Sequence, residues 1–131
     1  MKVMALDFGS ARTGVAVSDP TGVVARPLGV VERAGGEAGL AEVVRLAHEQ
    51  EVQEVVVGHP LTLRGERGEQ ARAAERFAKA LRAAVDVPVV LFDERFTTDL
   101  AEQSSSATPE DARAAAHLLS SYLEWSGSAR R

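Results

Sequence analysis

Apolar positions recur with a short period at the start of the chain and a longer one after it. Lys2 to Leu6 is a short apolar run of strand type, and Thr13 to Ser18 alternates small and branched residues, with the glycine-bearing turn Phe8 to Arg12 between them. Pro20, Thr21 and Gly22 mark a second turn, and Val23 to Val31 supplies a third strand with a bend expected at Pro27 and Gly29. Leu40, Val43, Val44 and Ala47 then recur at helical spacing, followed by a compact β-branched strand from Glu54 to Gly58. The alternation repeats: Ala74, Phe77, Ala78, Leu81 and Val85 mark a second helix, Val87 to Phe92 a buried strand, and Ala112, Ala115, Ala116, Leu119 and Leu123 a final helix.

The order is therefore β-β-β-α-β-α-β-α, an α/β pattern. Right-handed crossovers place the last two strands parallel to the first, giving a five-stranded mixed sheet: a three-strand antiparallel meander plus two parallel crossover strands, with helices on both faces. Residues 1–126 read as a single domain and 127–131 as a frayed tail, with no internal repeat. In such a sheet ligands favour the carboxyl ends of the parallel strands, where the strand order reverses. Asp7, His59 and the run Asp93-Glu94-Arg95 lie at those ends and are expected to converge on one crevice.

Composition narrows the chemistry. The chain has 131 residues, 45% hydrophobic and 26% charged, which is ordinary globular composition. It contains no cysteine, which excludes disulfides, thiolate zinc sites, iron-sulfur clusters and a cysteine nucleophile. No apolar run approaches the roughly 18 residues of a membrane span, so a soluble, unsecreted, cytoplasmic protein is expected. A net charge of −4 argues against coating nucleic acid by bulk electrostatics, yet thirteen of the fifteen basic residues are arginine, the better bidentate phosphate binder.

Three carboxylates stand out, each with a plainer role beside the chemical one. Asp7 precedes Phe8-Gly9-Ser10, where it either bonds its own turn or holds a hard cation. Adjacent Asp93 and Glu94 leave a strand end toward opposite faces, so one of them enters the crevice, and an Asp93–Arg95 pair in a solvated loop is the alternative. Asp111 belongs to a capping-box variant, Thr108-Pro109-Glu110-Asp111, and capping alone could account for it. Thr97 or Thr98 is placed to cap a short helix, with Asp99 near its start. If Asp7, Glu94 and Asp111 converge, their repulsion calls for a divalent cation, and all-oxygen ligation suits Mg2+ or Mn2+. Two such ions can activate a water and stabilise the leaving oxygen in phosphodiester hydrolysis.

His59, in Gly58-His59-Pro60-Leu61, is either a proton shuttle at that site or an ordinary loop histidine. Arg72, Arg76 and Lys79 share a helical face, with Arg64 and Arg67 in the loop before it. That face could follow a phosphate backbone, or it is a solvated helix laced with ion pairs to Glu66, Glu69 and Glu75. Aromatic stacking platforms are nearly absent from the sequence.

Four ordered motifs carry a resemblance that spans most of the chain. They are Leu6-Asp7-Phe8-Gly9 with Arg12, Gly14, Ala16, Ser18 and Asp19; Val55-Val56-Val57-Gly58 with Pro60-Leu61 and Gly65; Asp93-Glu94-Arg95 with Thr97-Thr98; and Asp111-Ala112 with Ala114-Ala115, Leu119, Tyr122 and Leu123. Together they resemble the YqgF (RuvX) proteins, small bacterial relatives of the RuvC-type Holliday junction resolvases with an RNase H-like fold. The resemblance implies a metal-dependent nuclease, a phosphodiester hydrolase tied to maturation of the 16S rRNA precursor, with Asp7, Glu94 and Asp111 as its catalytic and metal-binding acids. It implies phosphate contact or site support by Arg12 and Arg95; Ser10, His59 and Arg64 complete the expected substrate-contacting set. The partner expected is nucleic acid, RNA before branched DNA, bound by a monomer or homodimer.

This chain departs from the family pattern at His59, where an apolar residue is usual, and at Thr62 and Arg64. Only twelve residues separate Thr98 from Asp111, without lysine or arginine, where family members commonly carry a longer basic insertion. A shortened insertion implies weaker or different substrate binding. Two further readings stand beside the RNA nuclease: a Holliday junction resolvase acting on branched DNA, and a non-catalytic nucleic-acid-binding or ribosome-assembly factor. Asp7 to Ser10 with Gly14 to Val17 also resembles the first phosphate loop of the actin, Hsp70 and sugar-kinase group, but those proteins need two such domains around the nucleotide, and no Gly-Lys-Ser/Thr loop is present.

Overall fold

A computed structural model describes residues 1–96 and 110–129. Its strands are β1 (Val3–Asp7), β2 (Arg12–Ser18), β3 (Ala25–Glu32), β4 (Glu54–His59) and β5 (Val89–Asp93), and its helices α1 (Glu37–Glu49), α2 (Glu69–Ala84) and α3 (Glu110–Ala129). The strands form one sheet in the order β3-β2-β1-β4-β5. β1 is the pivot: it pairs antiparallel with β2 on one side and parallel with β4 on the other, and β5 extends the parallel half. The mixed sheet expected from the hydrophobic pattern is the one that forms, and its switch point lies at the carboxyl end of β1.

Strand alternation assigns the two layers. Met4 and Leu6 of β1, with Val55 and Val57 of β4, face α1 and α2, where Val43, Ala47, Ala74, Phe77, Ala78 and Leu81 bury against them. Val3 and Ala5, with Ala16, Val56 and Phe92, face α3 and pack on Ala115, Leu118, Leu119 and Tyr122. Val3 to Leu6 are essentially sealed from solvent, as a central strand covered on both faces requires. Continued by one residue, the same alternation sends Asp7 toward α3 and His59 toward α2.

The expected bend in the third strand is a bulge. Val15 pairs with Gly29 and Ala16 with Pro27, which leaves Leu28 as the extra residue. β3 is an edge strand, where a proline lacking its N–H is tolerated. At the other end of the chain, α3 continues through Gly127 to Ala129, past the point where the sequence suggested fraying. The motif threonines Thr97 and Thr98, Asp99, and the Thr108-Pro109 start of the capping box lie outside the described residues. Among the described residues no helix is long and apolar enough to cross a membrane.

Candidate active site at the carboxyl edge of the sheet

Asp7 ends β1, Glu94 opens the single 3-10 turn that follows β5, and Asp111 is the second residue of α3. Two glycines on the strands flanking β1 bring the outer two acids toward the first. Gly14 of β2 pairs with Asp7, and a Cβ there would sit 1.8 Å from the Asp111 carbonyl oxygen, so the first turn of α3 rests directly on β2. Gly58 of β4 is the mirror case: a Cβ would meet Glu94 Cδ at 3.0 Å, so the glutamate folds back over β4 toward β1. Both glycines serve close approach, at positions where any side chain would displace an acid.

Two of the three acids, Asp7 and Glu94, are held toward their protonated forms. Burial, then the nearby Asp111 charge, pushes the Asp7 carboxyl above its ordinary range. Burial and the Asp7 charge push Glu94 up to about 7. Their close approach favours the proton on Glu94 over Asp7, although both are raised. Asp111 stands at the rim, its Oδ2 3.4 Å from Arg12 Nε, with both side chains substantially exposed.

The donor set is all carboxylate oxygen, the chemistry that magnesium or manganese prefers. Burial and mutual repulsion hold both Asp7 and Glu94 toward the protonated form, and a cation would relieve that repulsion. The third acid is drawn to Arg12, and among the described residues no three groups are gathered into a closed metal-holding set. The chemistry of Asp7 and Glu94 suits a divalent cation, while Asp111 lies against Arg12.

The other sequence-predicted residues sort differently. His59 reaches the same edge but on the opposite face: its Nε2 lies 2.7 Å from Glu75 Oε2 of α2, and the ring is mostly buried. The expected shared crevice with Asp7 is thus corrected, because His59 follows Val57 at a two-residue step and inherits its face. Asp93 shares that face and accepts from Arg95, with Arg95 Nη2 2.5 Å from Asp93 Oδ2 and Nη1 3.5 Å from the Leu63 carbonyl. Adjacent Asp93 and Glu94 do split between faces as expected. Arg95, expected at substrate, is instead tied to Asp93 and to the loop after β4. Arg67 grips both oxygens of Glu75 and Arg76 bonds Glu69, so two of the five basic residues on this side are held in ion pairs. Ser10 is exposed in the turn after Asp7, and Arg64 is exposed in the loop between β4 and α2. A concavity of about 330 Å³ among Ala47, His48, Val52 and Val87 opens at the far end of the sheet.

Comparison with known proteins places this site in context. A family model described as "RuvX: Holliday junction resolvase" matches residues 1–125. The chain belongs to the RuvX family. A relative from Chloroflexus aurantiacus is 48% identical over 101 residues, covering 77% of this chain and 66% of that one. Another, from Anaeromyxobacter sp., is 43% identical over 133 residues, covering 95% of this chain and 97% of its own length. Both are named "Putative pre-16S rRNA nuclease". The structure of T. thermophilus RuvC in complex with Holliday junction substrate superposes with a TM-score of 0.67 at 18% identity, over 98% of this chain and 96% of that one. The fowlpox virus Holliday junction resolvase gives 0.57 at 13%, over 95% and 99%. At these identities the likeness establishes the fold, which is the RNase H-like fold of the RuvC resolvases. In this member of the family, all four sequence motifs contribute residues to the carboxyl edge of the sheet, on one face or the other.

Two features escaped the sequence reading. The spacing roles of Gly14 and Gly58 were legible in principle, since strand alternation turns both toward α3. The second feature is a grouping of aromatic side chains beside Glu94, for which the i,i+4 pair Phe92 and Phe96 and the i,i+3 pair Tyr122 and Trp125 were the only local signs.

Proposed function

We propose that this chain hydrolyses phosphodiester bonds in RNA, acting in maturation of the 16S rRNA precursor, with a divalent metal held by Asp7, Glu94 and Asp111. The observation that carries the reading is the Asp7–Glu94 pair: two partly buried carboxyls that repel each other and are both pushed above their ordinary range, with a third acid, Asp111, beside them. Structural carboxylates are ordinarily paired with a cationic side chain, as Glu75 is on the other face. A group of like charges at the switch point of an α/β sheet is the arrangement a catalytic cation requires. Family membership and the names of the relatives supply the substrate class.

When bound, Mg2+ or Mn2+ would supply an activated water and charge stabilisation at the leaving oxygen. The chain's own residues do the rest. Glu94 and Asp111 approach Asp7 through the space that Gly58 and Gly14 leave free. Arg12, at the rim, holds Asp111 in the metal-free protein and is positioned to receive a phosphate once Asp111 turns inward. Holliday junction cleavage is the second reading, supported by the description of the family model.

The test is cleavage of a precursor 16S rRNA fragment and a four-way DNA junction, side by side, with magnesium, manganese or chelator, by wild type and Asp7→Asn. Metal-dependent cutting of the RNA that the substitution removes is the expected result. Cutting of the junction alone would transfer the assignment to branched DNA, and cutting that survives Asp7→Asn would remove Asp7 from the chemistry.

A further inference from the structure

Four of the chain's six aromatic residues meet at the β5 edge, on the same face of the sheet as Asp7 and Glu94. Phe92 lies at their centre, its ring 5.4 Å from Tyr122, 5.7 Å from Trp125 and 6.0 Å from Phe96. Phe92 and Tyr122 are buried, and the Tyr122 hydroxyl donates to Glu54 Oε1 at 2.7 Å, which fixes the base of the group. Phe96 and Trp125 stand above it at 62% and 53% exposure. The remaining two aromatics, Phe8 and Phe77, stack on each other in the opposite layer.

The order across the sheet is continuous. Asp111 lies over β2, Asp7 ends β1, Glu94 folds over Gly58 of β4, and Gly58 pairs with Phe92 of β5. Acidic groups thus give way, without a change of face, to two exposed rings at the sheet edge. Phe96 is only two residues beyond Glu94 in the same 3-10 turn.

The charge balance identifies what the rings take. The chain carries a net charge of −4. Arg12, Arg45, Arg67, Arg76 and Arg95 are each ion-paired to a carboxylate. Long-range attraction from net charge therefore contributes little to holding a polyanion here, and contacts that need no net positive charge gain weight beside the Arg12 phosphate contact. Stacking of unpaired bases on aromatic rings is such a contact.

Resting on the RNA-hydrolase reading above, we propose that Phe96 and Trp125 form a stacking platform for an unpaired base of the RNA strand whose scissile phosphodiester lies at Asp7 and Glu94. The platform would favour single-stranded stretches over duplex, whose bases are already stacked.

Trp125 is the only tryptophan, so its emission reports the platform directly. The experiment titrates the full chain, in chelator, with a short single-stranded RNA while following Trp125 emission and, separately, the anisotropy of labelled RNA. Quenching that tracks binding is expected. Phe96→Ala should weaken binding by about tenfold, Phe96→Tyr should restore it, and the slope of log affinity against log salt should stay unchanged because no ionic contact is lost. Circular dichroism verifies that the exposed Phe96 can be replaced without unfolding. RNA binding with no change in emission and no loss in Phe96→Ala would overturn the platform while leaving the nuclease reading intact. A dimer in sedimentation that Trp125→Ala dissolves, with RNA affinity unchanged, would assign the rings to a second copy of the chain instead. Failure of wild type to bind or cut any RNA would overturn both.

Discussion

The carboxyl edge of the sheet has two faces, and they treat charge in opposite ways. Toward α2, charge is paired: Glu75 sits between His59 and Arg67, and Asp93 is gripped by Arg95. Those carboxyls are accordingly held below their ordinary range, Glu75 at about 2. Toward α3, Asp7 and Glu94 face each other and Asp111, and both are held above theirs. The two groups occupy neighbouring positions in the chain, since His59 follows Gly58 and Glu94 follows Asp93. What separates them is strand parity alone. Compensated charge anchors the loop between β4 and α2; uncompensated charge is retained by folded proteins where a ligand or reaction will supply what is missing.

The comparison breaks most severely at the acids themselves. Asp7→Asn removes the central carboxylate of the uncompensated face, and cleavage should fall about a thousandfold or more, since several kcal/mol of charge stabilisation depend on the metal it helps to hold. The thermal midpoint of the metal-free variant should not fall, because a buried repulsive charge has been removed. Next in size is Gly58→Ala. Its new Cβ would meet Glu94 Cδ at 3.0 Å, so the carboxyl must shift by a few tenths of an ångström over β4. Displacements of an ångström or less at a reacting centre are worth up to about a hundredfold, so cleavage should drop tenfold to a hundredfold while the fold persists. Steady-state kinetics with a circular dichroism control separate that result from simple unfolding.

The pH dependence of the metal-free protein sharpens the contrast. An acid whose pKa is higher folded than unfolded weighs against the folded state above its folded pKa, and that penalty disappears below its unfolded value. For Glu94 the window runs from about 7 down to 4.5. Stability in chelator should therefore rise as the pH falls through that range. Glu94→Gln should flatten this part of the profile and raise stability at pH 8 by on the order of 2 kcal/mol. Urea denaturation at a series of pH values measures both, and a flat wild-type profile would contradict the raised pKa of Glu94. Glu75 has the opposite sign: its depressed pKa contributes stability that is lost only as the pH falls through about 4.5 toward 2.

Much of this architecture could be read from the pattern of apolar residues, because burial on both faces of β1 and β4 leaves a signature in four or five consecutive positions. The strands and helices fall close to their expected places, and the bend at Pro27 and Gly29 appears as a bulge. α2 starts at Glu69, five residues ahead of the first apolar position that marked it, because Glu69, Gln70 and Arg72 are exposed and only Ala71 of the opening turn is buried. The location of the site was legible from topology: Asp7 and Glu94 stand at the switch point, and the opposed directions of Asp93 and Glu94 followed from alternation. The face of His59 followed from the same rule, two residues on from Val57, but chemical attraction to a histidine near acids obscured it. Its partner could not be read at all. Glu75 lies sixteen residues away, and only the packing of α2 against β4 determines that it meets the imidazole. The aromatic group was hidden for the same reason, since Phe92 and Trp125 are brought together by α3 crossing the sheet.

The smallest expected effect lies on the compensated face, and it is the most discriminating control. Arg67→Met leaves Glu75 with His59 alone, and Arg95→Met frees Asp93 and releases the Leu63 carbonyl contact. Both guanidiniums are exposed to water, and exposed ion pairs contribute little to stability. If these arginines serve only to hold the loop after β4, each variant should lose a little stability and keep kcat within about twofold of wild type. KM should rise slightly where the loop with Leu63 and Arg64 loosens. A loss of kcat in Arg95→Met comparable to that of Gly58→Ala would mean that Arg95 exchanges Asp93 for a substrate phosphate during turnover. The two faces of the edge would then be coupled through the two adjacent residues Asp93 and Glu94. Measuring both variants at two salt concentrations separates these cases, since a phosphate contact steepens the salt dependence of KM and a loop anchor does not.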